Sequence, residues 1–341
     1  MIIQSDFKPP AWLSNPHLQT LWPYFMRSGM KIEVRRERLE LPDGDFIDLD
    51  WNTCDGGAIV VLLHGLSGSV NSHYAKNTLR ALQQRGMRGV LMNFRGASGE
   101  PNRLPRGYHG GETGDFAIVM QTLLRREPRT PIAAVGFSLG GNVLLKWVGE
   151  KQDKCPLYAA VAVSAPLDLD RTTVRLSQGF SRLYQWHILK CLKRDLLVKS
   201  RKVDLPVDVT KISSVTSFRQ FDDSITAPLH GFRNAAEYYE YSSARRFLGG
   251  ISVPTLILHA LDDPFIPASV LPANTELTAS TTLELSRHGG HVGFVNKAST
   301  SDGDWLENRI TGFLNARLHT RVVTENSVIP LKTAADNPGS Q

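Results

Sequence analysis

Stretches of uniformly apolar residues alternate with stretches of helical periodicity along most of the chain. The apolar runs fall at 58–65, 89–94, 131–136, 158–164, 253–260 and 281–286, and the helical patterns at about 73–85, 112–126, 139–151 and 305–318. Continuous apolar runs are typical of strands covered on both faces. Strands that alternate with helices are typical of parallel sheets. The pattern therefore predicts an α/β fold with a mostly parallel, doubly wound sheet.

A different pattern precedes these elements. Apolar and polar residues alternate over 32–41 and again over 46–51, and the pair Asp43–Gly44 lies between the two segments. Alternation indicates strands with one solvent-facing side, and an Asp-Gly pair is typical of a hairpin turn. We expect two antiparallel strands at an edge of the sheet.

The regular alternation stops between 167 and 250, where charged and aromatic residues follow no strand pattern. We expect a helical cap there, inserted into a core formed by 32–166 and 251–320. Residues 1–31 are rich in proline and aromatic residues. Large apolar side chains need burial unless they form an exposed patch, so we expect this segment to wrap the core. The polar residues 325–341 are expected to be disordered.

Composition narrows the class of protein. The chain has 341 residues, 41% of them hydrophobic, which suits one large domain with an insertion, or two domains, and we favour one domain. The net charge is +6, but basic residues are scattered among acidic ones, so nucleic acid is not an expected partner. Three dispersed cysteines predict neither a disulfide framework nor a metal site and fit a cytoplasmic location. No leader segment or membrane-spanning apolar run is recognised, and the oligomeric state is not indicated.

The sequence GFSLG at 136–140 lies between a predicted strand and a predicted helix. In this context GxSxG is typical of a sharp turn that raises a serine hydroxyl above the end of a sheet. Gly136 and Gly140 are needed because the turn leaves no room for a Cβ atom at either position. Ser138 is therefore the predicted nucleophile.

A serine nucleophile needs a base and a third group that orients the base. The segments LDDPF at 261–265 and RHGGHVGF at 287–294 each follow a predicted strand, and the carboxyl ends of parallel strands meet at one edge of a sheet. Glycines on both sides of His291 predict a flexible loop, which favours it as the base, and His288 is expected to be structural. Asp262 and Asp263 compete for the acidic position, and local rules do not decide between them.

Two backbone amides are predicted to stabilise a developing oxyanion: those of Leu139, directly after the serine, and Leu66, in HGLSGS at 64–69. Other kinds of site fit less well. The segment GFSLGGNV has Asn142 and Val143 where a phosphate loop requires lysine and a hydroxyl. The segment HGGH lacks the glutamate of HExxH. No metal and no cofactor are predicted.

Two further segments leave alternatives open. Residues 179–202 have apolar residues at helical spacing among several lysines and arginines. Such a helix is either a lid that touches anionic lipid, with peripheral membrane contact through the cap, or a cap helix with a solvated charged face. In the loop 94–115, four polar residues either line a pocket or brace the loop and cap the next helix: Arg95, His109, Glu112 and Asp115.

Several motifs together resemble one family. They are NPHLQTL at 15–21, LPDGDFIDLDW at 41–51, HGLSGS at 64–69, NFRGASGEPNR at 93–103, GFSLGGN at 136–142, FDDSITAPLHGF at 221–232, HALDDPF at 259–265 and HGGHVGF at 288–294. The chain resembles the AB hydrolase 4 family of the AB hydrolase superfamily, which includes the YheT-like bacterial hydrolases and their ABHD relatives.

The resemblance implies an α/β-hydrolase fold and a serine hydrolase of carboxylic esters, with lipid or medium-chain acyl esters as substrates in relatives. The catalytic serine, aspartate and histidine of the family fall on Ser138, Asp263 and His291. A small-molecule or lipid ester is thus the expected partner. A thioesterase, amidase or acyltransferase on the same fold, or a ligand-binding protein without activity, remains an alternative.

Overall fold

The computed structural model describes residues 1–26, 32–296 and 304–325. The strands are β1 (Ile2–Gln4), β2 (Arg35–Glu40), β3 (Phe46–Trp51), β4 (Ile59–Leu63), β5 (Arg88–Met92), β6 (Ile132–Phe137), β7 (Ala159–Val163), β8 (Thr255–Ala260) and β9 (Thr281–Ser286). The α-helices are α1 (Pro16–Met26), α2 (His73–Gln84), α3 (Gly114–Arg126), α4 (Leu139–Lys151), α5 (Leu169–Leu176), α6 (Ser181–Ser200), α7 (Phe218–Phe221), α8 (Ala227–Leu229), α9 (Ala235–Ser242) and α10 (Trp305–Glu325).

The strands form one sheet in the order β1-β9-β8-β7-β6-β4-β5-β3-β2. The six predicted core strands, β4 to β9, pair in parallel with one another, and β2 and β3 pair antiparallel. The mostly parallel sheet predicted from the apolar runs is therefore confirmed. So is the hairpin turn, where Gly44 has a φ of 85°.

One expectation for the hairpin is wrong. Of its two strands only β2 lies at an edge of the sheet, because β3 also pairs with β5 and all six residues of β3 are buried. The aspartates of β3 form ion pairs with arginines of β2 and are not exposed to solvent: Arg36 bonds to Asp50 at 2.7 Å and Arg38 to Asp48 at 2.8 Å. Alternating apolar and polar residues indicate that one face of a strand is polar, but not that this face is exposed to solvent. Here the guanidinium groups of the neighbouring strand cover the polar face.

Helices cover both faces of the sheet. Alternate residues of β4 point to opposite sides, so that Val61 joins one apolar cluster and Leu62 the other. The first cluster includes Phe116 of α3, and the second includes Leu79 of α2 and Ile310 of α10. The carboxyl ends of the central strands remain as the place where loops converge.

The chain between β7 and β8 forms the helices α5 to α9. Their apolar side chains include a cluster of their own, separate from the two sheet clusters: Leu176, Tyr184, Leu189, Leu196, Ile212, Val215, Phe218, Phe221 and Ile225. The division into a core of 32–166 and 251–320 and a cap of 167–250 stays a prediction.

The N-terminal segment contains a strand that the sequence pattern did not reveal. The three residues of β1 pair in parallel with β9 and so extend the sheet by one strand. A strand this short shows no periodicity of its own, and only the neighbouring edge of the sheet selects it. Part of the expected wrapping segment, 27–31, and nearly all of the expected disordered tail, 326–341, lie outside the described residues.

Candidate active site

Ser138 lies alone between the last residue of β6 and the first residue of α4, with a φ of 50°. A non-glycine residue in this region of φ is uncommon and strained. A Cβ atom on Gly136 would overlap the carbonyl oxygen of Gly140, and one on Gly140 would overlap that of Leu63. Both glycines are therefore required by close backbone packing, as expected from the motif.

Substituting Gly140 by alanine is expected to lower the free energy of unfolding by about 2 kcal/mol or more, because the new methyl group overlaps backbone atoms. The matched control is Gly312→Ala on α10, where a Cβ atom meets nothing within 4 Å. The free energy of unfolding of that variant is expected to rise by about 0.5–1 kcal/mol, since alanine has a higher helix propensity than glycine. Urea unfolding of both variants measures the difference. Equal stability of the two would contradict the packing argument.

A chain of hydrogen bonds joins the three predicted side chains. His291 Nε2 lies 2.9 Å from Ser138 Oγ, and His291 Nδ1 lies 2.8 Å from Asp263 Oδ2. The other oxygen of Asp263 accepts the backbone amide of Phe265 at 2.7 Å. A carboxylate only accepts hydrogen bonds, so this network places the proton on Nδ1 and leaves Nε2 to accept from the serine hydroxyl.

Asp262 occupies a different position from its neighbour. Its carboxylate lies 3.3 Å from His288 Nδ1 and accepts the amide of Gly290 at 3.0 Å. Burial raises the pKa of this carboxyl above its usual range. The two consecutive aspartates thus pair with two different histidines. Geometry associates Asp263 with His291, a choice that local sequence rules had left open.

The turn that contains His291 is held by α1. The backbone amide of His291 donates to Thr20 Oγ1 at 2.9 Å. The side chain of Gln19 bonds to both backbone groups of Val295: its Nε2 donates to the oxygen at 3.0 Å and its Oε1 accepts the amide at 2.8 Å. Gln19 is fully buried. These three bonds fix the backbone on both sides of the imidazole.

The glycines of this turn allow its backbone to pack closely against α1. A Cβ atom on Gly290 would overlap the carbonyl oxygen of Pro16, and one on Gly293 would overlap that of Gln19. Both glycines are buried. The glycines allow the backbone of the turn to lie against the backbone of α1, and the flexibility expected of this loop stays a prediction.

The ring of Phe265 fixes the plane of the imidazole. It stacks on His291 with centroids 4.0 Å apart and planes inclined by 10°. The imidazole side chain is only 9% exposed. A ring held by stacking on one face and by bonds at both nitrogens has little freedom to rotate, so the site is organised in advance of any ligand.

The amide of Leu66 lies in a backbone segment anchored on both sides. The amide of Gly65 donates to Tyr74 Oη and that of Ser67 to Tyr108 Oη, each at 2.9 Å. A Cβ atom built on Gly65 would lie 3.2 Å from Ser138 Cβ, which shows how closely this segment passes the serine. Leu139 begins α4, where amides lack acceptors within the helix. An oxyanion role for the two amides stays a prediction.

His64, next to this segment, is fully buried and neutral. Its Nδ1 donates to the oxygen of Gly65 at 2.7 Å, and its Nε2 accepts the amide of Phe94 at 3.1 Å. Burial lowers the pKa of this imidazole to about 4. The accepting nitrogen cannot keep the bond to Phe94 once it is protonated.

The free energy of unfolding is expected to decrease as the pH is lowered, because His64 is buried in its neutral form. In the unfolded chain a histidine takes up a proton near pH 6.5, whereas in the folded protein the pKa is about 4. The unfolded state therefore binds more protons across this interval, and the stabilisation present above pH 6.5 is lost as the pH falls through it, by about 3 kcal/mol. Urea unfolding of His64→Gln should show a correspondingly shallower pH dependence. An unchanged slope would contradict the burial of a neutral imidazole.

The polar residues of the loop 94–115 brace the loop. Arg95 donates to both oxygens of Asp115, at 2.7 and 2.6 Å, and to Asp45 at 2.9 Å. Glu112 accepts the amide of Gly114, the first residue of α3, at 3.1 Å. The side chain of His109 accepts the amide of Gly111, also at 3.1 Å. These contacts favour the bracing interpretation, since they join the loop to itself and to its neighbours.

The parallel sheet, the strained serine at the turn between β6 and α4, and the convergence of side chains at the carboxyl ends of three strands define an α/β hydrolase. The family model described as alpha/beta hydrolase fold matches residues 58–298, and the chain belongs to this family. Over 323 residues the chain is 42% identical to the protein named "Putative esterase YheT" of Escherichia coli (strain K12), covering 93% of this chain and 95% of that protein. The family resemblance seen in the sequence is thereby confirmed.

More distant relatives and solved structures agree on the fold. The chain is 29% identical over 309 residues to Phospholipase ABHD3 of Mus musculus, covering 86% of this chain and 74% of that protein. The structure of the Pyrococcus furiosus esterase Pf2001 superposes with a TM-score of 0.56 at 16% identity, covering 91% of this chain and all of that one. At this identity the likeness concerns the fold alone. No helix in the described ranges is both long and apolar enough to cross a bilayer.

Five residues around the site were not identified from the sequence. Gln19 and Thr20 hold the histidine turn, Phe265 stacks on the imidazole, and Tyr74 and Tyr108 anchor the segment around Leu66. The first three lie inside motifs shared with the family, NPHLQTL and HALDDPF, which could have indicated them. The tyrosines lie outside those motifs, and only the folded chain brings them to the amides.

Proposed function

We propose that this protein is a serine hydrolase that cleaves carboxylic esters through an acyl-enzyme intermediate. The observation that carries the proposal is the continuous hydrogen-bonded path from Ser138 Oγ through His291 to Asp263. A serine hydroxyl, an imidazole and a buried carboxylate in this order are the requirements of nucleophilic acyl transfer. Relatives named as an esterase, a phospholipase and a monoacylglycerol lipase support the same class of reaction.

In the proposed cycle, Ser138 Oγ attacks the carbonyl carbon of the ester while His291 Nε2 takes the hydroxyl proton. The amides of Leu66 and Leu139 donate to the oxyanion that forms. His291 then returns the proton to the leaving alcohol, which breaks the ester bond and leaves an acyl group on the serine. Water then attacks the acyl carbon while His291 Nε2 takes one of its protons. Return of that proton to Ser138 Oγ accompanies cleavage of the acyl–serine bond, which releases the acid and restores the serine. Asp263 orients the imidazole and stabilises its positive charge in both half-reactions.

Esters with an aliphatic acyl chain are the proposed substrates. Leu66 and Phe265, which border the serine and the histidine, also pack against the apolar cluster of the helices between β7 and β8. An acyl chain that extends from the carbonyl toward this cluster would replace water at an apolar surface. Lipid or medium-chain esters fit this environment better than short polar esters.

The test combines labelling with a substrate panel. A fluorophosphonate probe should modify the full chain stoichiometrically at Ser138, and Ser138→Ala should not react. Nitrophenyl esters from acetyl to palmitoyl should be hydrolysed, with longer chains preferred over acetyl. Thioesters and anilides of the same acyl groups test the alternative leaving groups. Labelling at another residue, or no labelling of folded protein, would end the proposal.

A further inference from the structure

Helix α1 carries its apolar and polar residues in the reverse of the usual arrangement. Gln19 is fully buried, whereas Leu18, Trp22 and Met26 are exposed to 46%, 37% and 63%. These three positions are spaced by four residues and so lie on one face of the helix. Trp12, also exposed, contacts Trp22 with ring centroids 4.8 Å apart. The segment expected to bury its aromatic residues instead presents several of them to solvent.

Helix α6 presents a similar face. Leu183 and Trp186 are exposed to 56% and 62%, and Phe180 directly before the helix to 48%. The following turns of the same face expose Lys190 and Leu197. The hydrophobic cluster beneath the helix is filled by its other side, with Tyr184 and Leu189 among its members. The outer face is therefore not needed for the packing of this helix.

The two faces meet to form one surface. The ring of His17 on α1 lies 4.3 Å from that of Phe180, and its Nδ1 lies 3.0 Å from Tyr184 Oη on α6. Tyr24 lies 6.1 Å from His187 on the next turn of α6. We call the joint face the α1–α6 surface and define it by six exposed side chains: Trp12, Leu18, Trp22, Phe180, Leu183 and Trp186. Exposed apolar side chains grouped on two helices that touch each other mark a place of contact with a partner.

The charges around the patch identify the partner. Helix α1 has no acidic and no basic side chain except His17. On α6, exposed cations interleave with the apolar residues at Arg182, Lys190 and Arg194, and the one carboxylate, Asp195, pairs with Arg194. A groove of about 600 Å³ continues along α6 between cationic and apolar residues such as Lys190, Leu197 and Arg201. Tryptophan and leucine beside lysine and arginine are the residues of helices that lie in the interface of an anionic bilayer.

The surface adjoins the candidate active site. His17 of α1 bonds to Tyr184 of α6, and the ring of Tyr184 lies 4.7 Å from that of Phe265. Phe265 in turn stacks on His291. The opposite side of α1 holds the backbone of His291 through Thr20. A bilayer in contact with the α1–α6 surface would therefore lie close to the serine and the imidazole.

We propose that the α1–α6 surface docks the protein on anionic lipid bilayers, with the aromatic side chains in the interface and the cations of α6 on lipid headgroups. The docking rests on exposed faces and charges and does not depend on the proposed catalysis. If the proposed function also holds, the surface gives the site direct access to acyl esters within a membrane.

Sedimentation of the full chain with lipid vesicles tests the proposal without any measurement of turnover. Binding is expected to vesicles of equimolar phosphatidylcholine and phosphatidylglycerol, to be weaker with phosphatidylcholine alone, and to fall as salt is added. The double variant Leu183→Ser and Trp186→Ser should bind at least about tenfold more weakly, because it loses buried apolar area. The charge-reversed double variant Arg182→Glu and Lys190→Glu should also bind vesicles more weakly, by about fivefold or more for each cation replaced.

The matched control is Tyr241→Ser on α9, a side chain also exposed to 56% that does not belong to the surface. This variant should bind as the unmodified protein does. Absence of binding to anionic vesicles at low salt would overturn the proposal. So would vesicle binding by both double variants that is as strong as that of the unmodified protein, which would place the contact elsewhere. Self-association in ultracentrifugation that the apolar double variant abolishes, without vesicle binding, would assign the surface to a second copy of the chain.

Discussion

Replacement of Ser138 by alanine is expected to reduce kcat/KM for a nitrophenyl ester at least about a thousandfold, because the oxygen that bonds to His291 and would attack the ester is lost. The oxyanion amides and the binding surface remain, so a residual rate above that of water is expected. Initial rates with butyrate and octanoate esters measure the change.

The same variant should remain folded. The hydroxyl of Ser138 bonds to His291 at 2.9 Å, and its backbone amide, which alanine retains, donates to Val163 at 2.8 Å. We expect the free energy of unfolding to change by no more than about 1 kcal/mol, the worth of one hydrogen bond. Folded protein that keeps most of its activity would show that Ser138 is not the nucleophile.

Replacement of Asp263 by asparagine is expected to reduce kcat by about ten-thousandfold. The carboxylate accepts from His291 Nδ1 at 2.8 Å and from two backbone amides, of Phe265 and Ile266. The oxygen of an asparagine can satisfy those amides, but its NH2 group then points at Nδ1 and favours the other tautomer of the imidazole. The protonated Nε2 of that tautomer cannot accept the serine proton. Single-turnover rates with a chromogenic ester measure the effect on the acylation step.

Asp262→Asn is the matched control for this prediction. It changes the adjacent residue in the same chemical way, but Asp262 bonds to His288 and Gly290, whereas the imidazole of His291 bonds to Asp263 and Ser138. An amide oxygen can still accept from Gly290, so we expect a loss of no more than about tenfold. A larger loss for Asp262→Asn than for Asp263→Asn would reverse the assignment of the acid.

Features that depend on neighbours in sequence were predictable. Gly136, Ser138 and Gly140 indicate a sharp turn because they form a recognisable five-residue motif, and a Cβ atom on Gly136 would overlap Gly140 within the same turn. The close approach at Gly140 is to Leu63 on the neighbouring strand. The apolar runs of β4 to β9 identify strands covered on both faces, and the order of those runs indicates a parallel sheet. The structure bears out these local predictions within a few residues at each boundary.

Other features were missed or misjudged because they depend on distant segments. Glycines around His291 predicted a loop that could reach Ser138, but the sequence did not reveal that the backbone of α1 packs against these glycines and holds the turn. The alternating residues of β3 suggested an edge strand, but arginines of β2 cover its carboxylates. In both cases the residue types fit two environments, and the partner that decides between them is remote in sequence or lies on another strand.

The sequence by itself determined the class of fold, the strained serine and the candidates for its partners, since periodicity, steric limits and chemical type are properties of short segments. Local sequence rules left Asp262 and Asp263 open, and the family resemblance implied Asp263, which bonds to His291 in the structure. Only the tertiary structure decided that α1 presents tryptophans outward and Gln19 inward, and that two tyrosines anchor the segment around Leu66. The physical reason is that hydrogen-bond partners and burial are fixed by packing between segments that are distant in sequence, such as Gln19 and Val295, which are 276 residues apart.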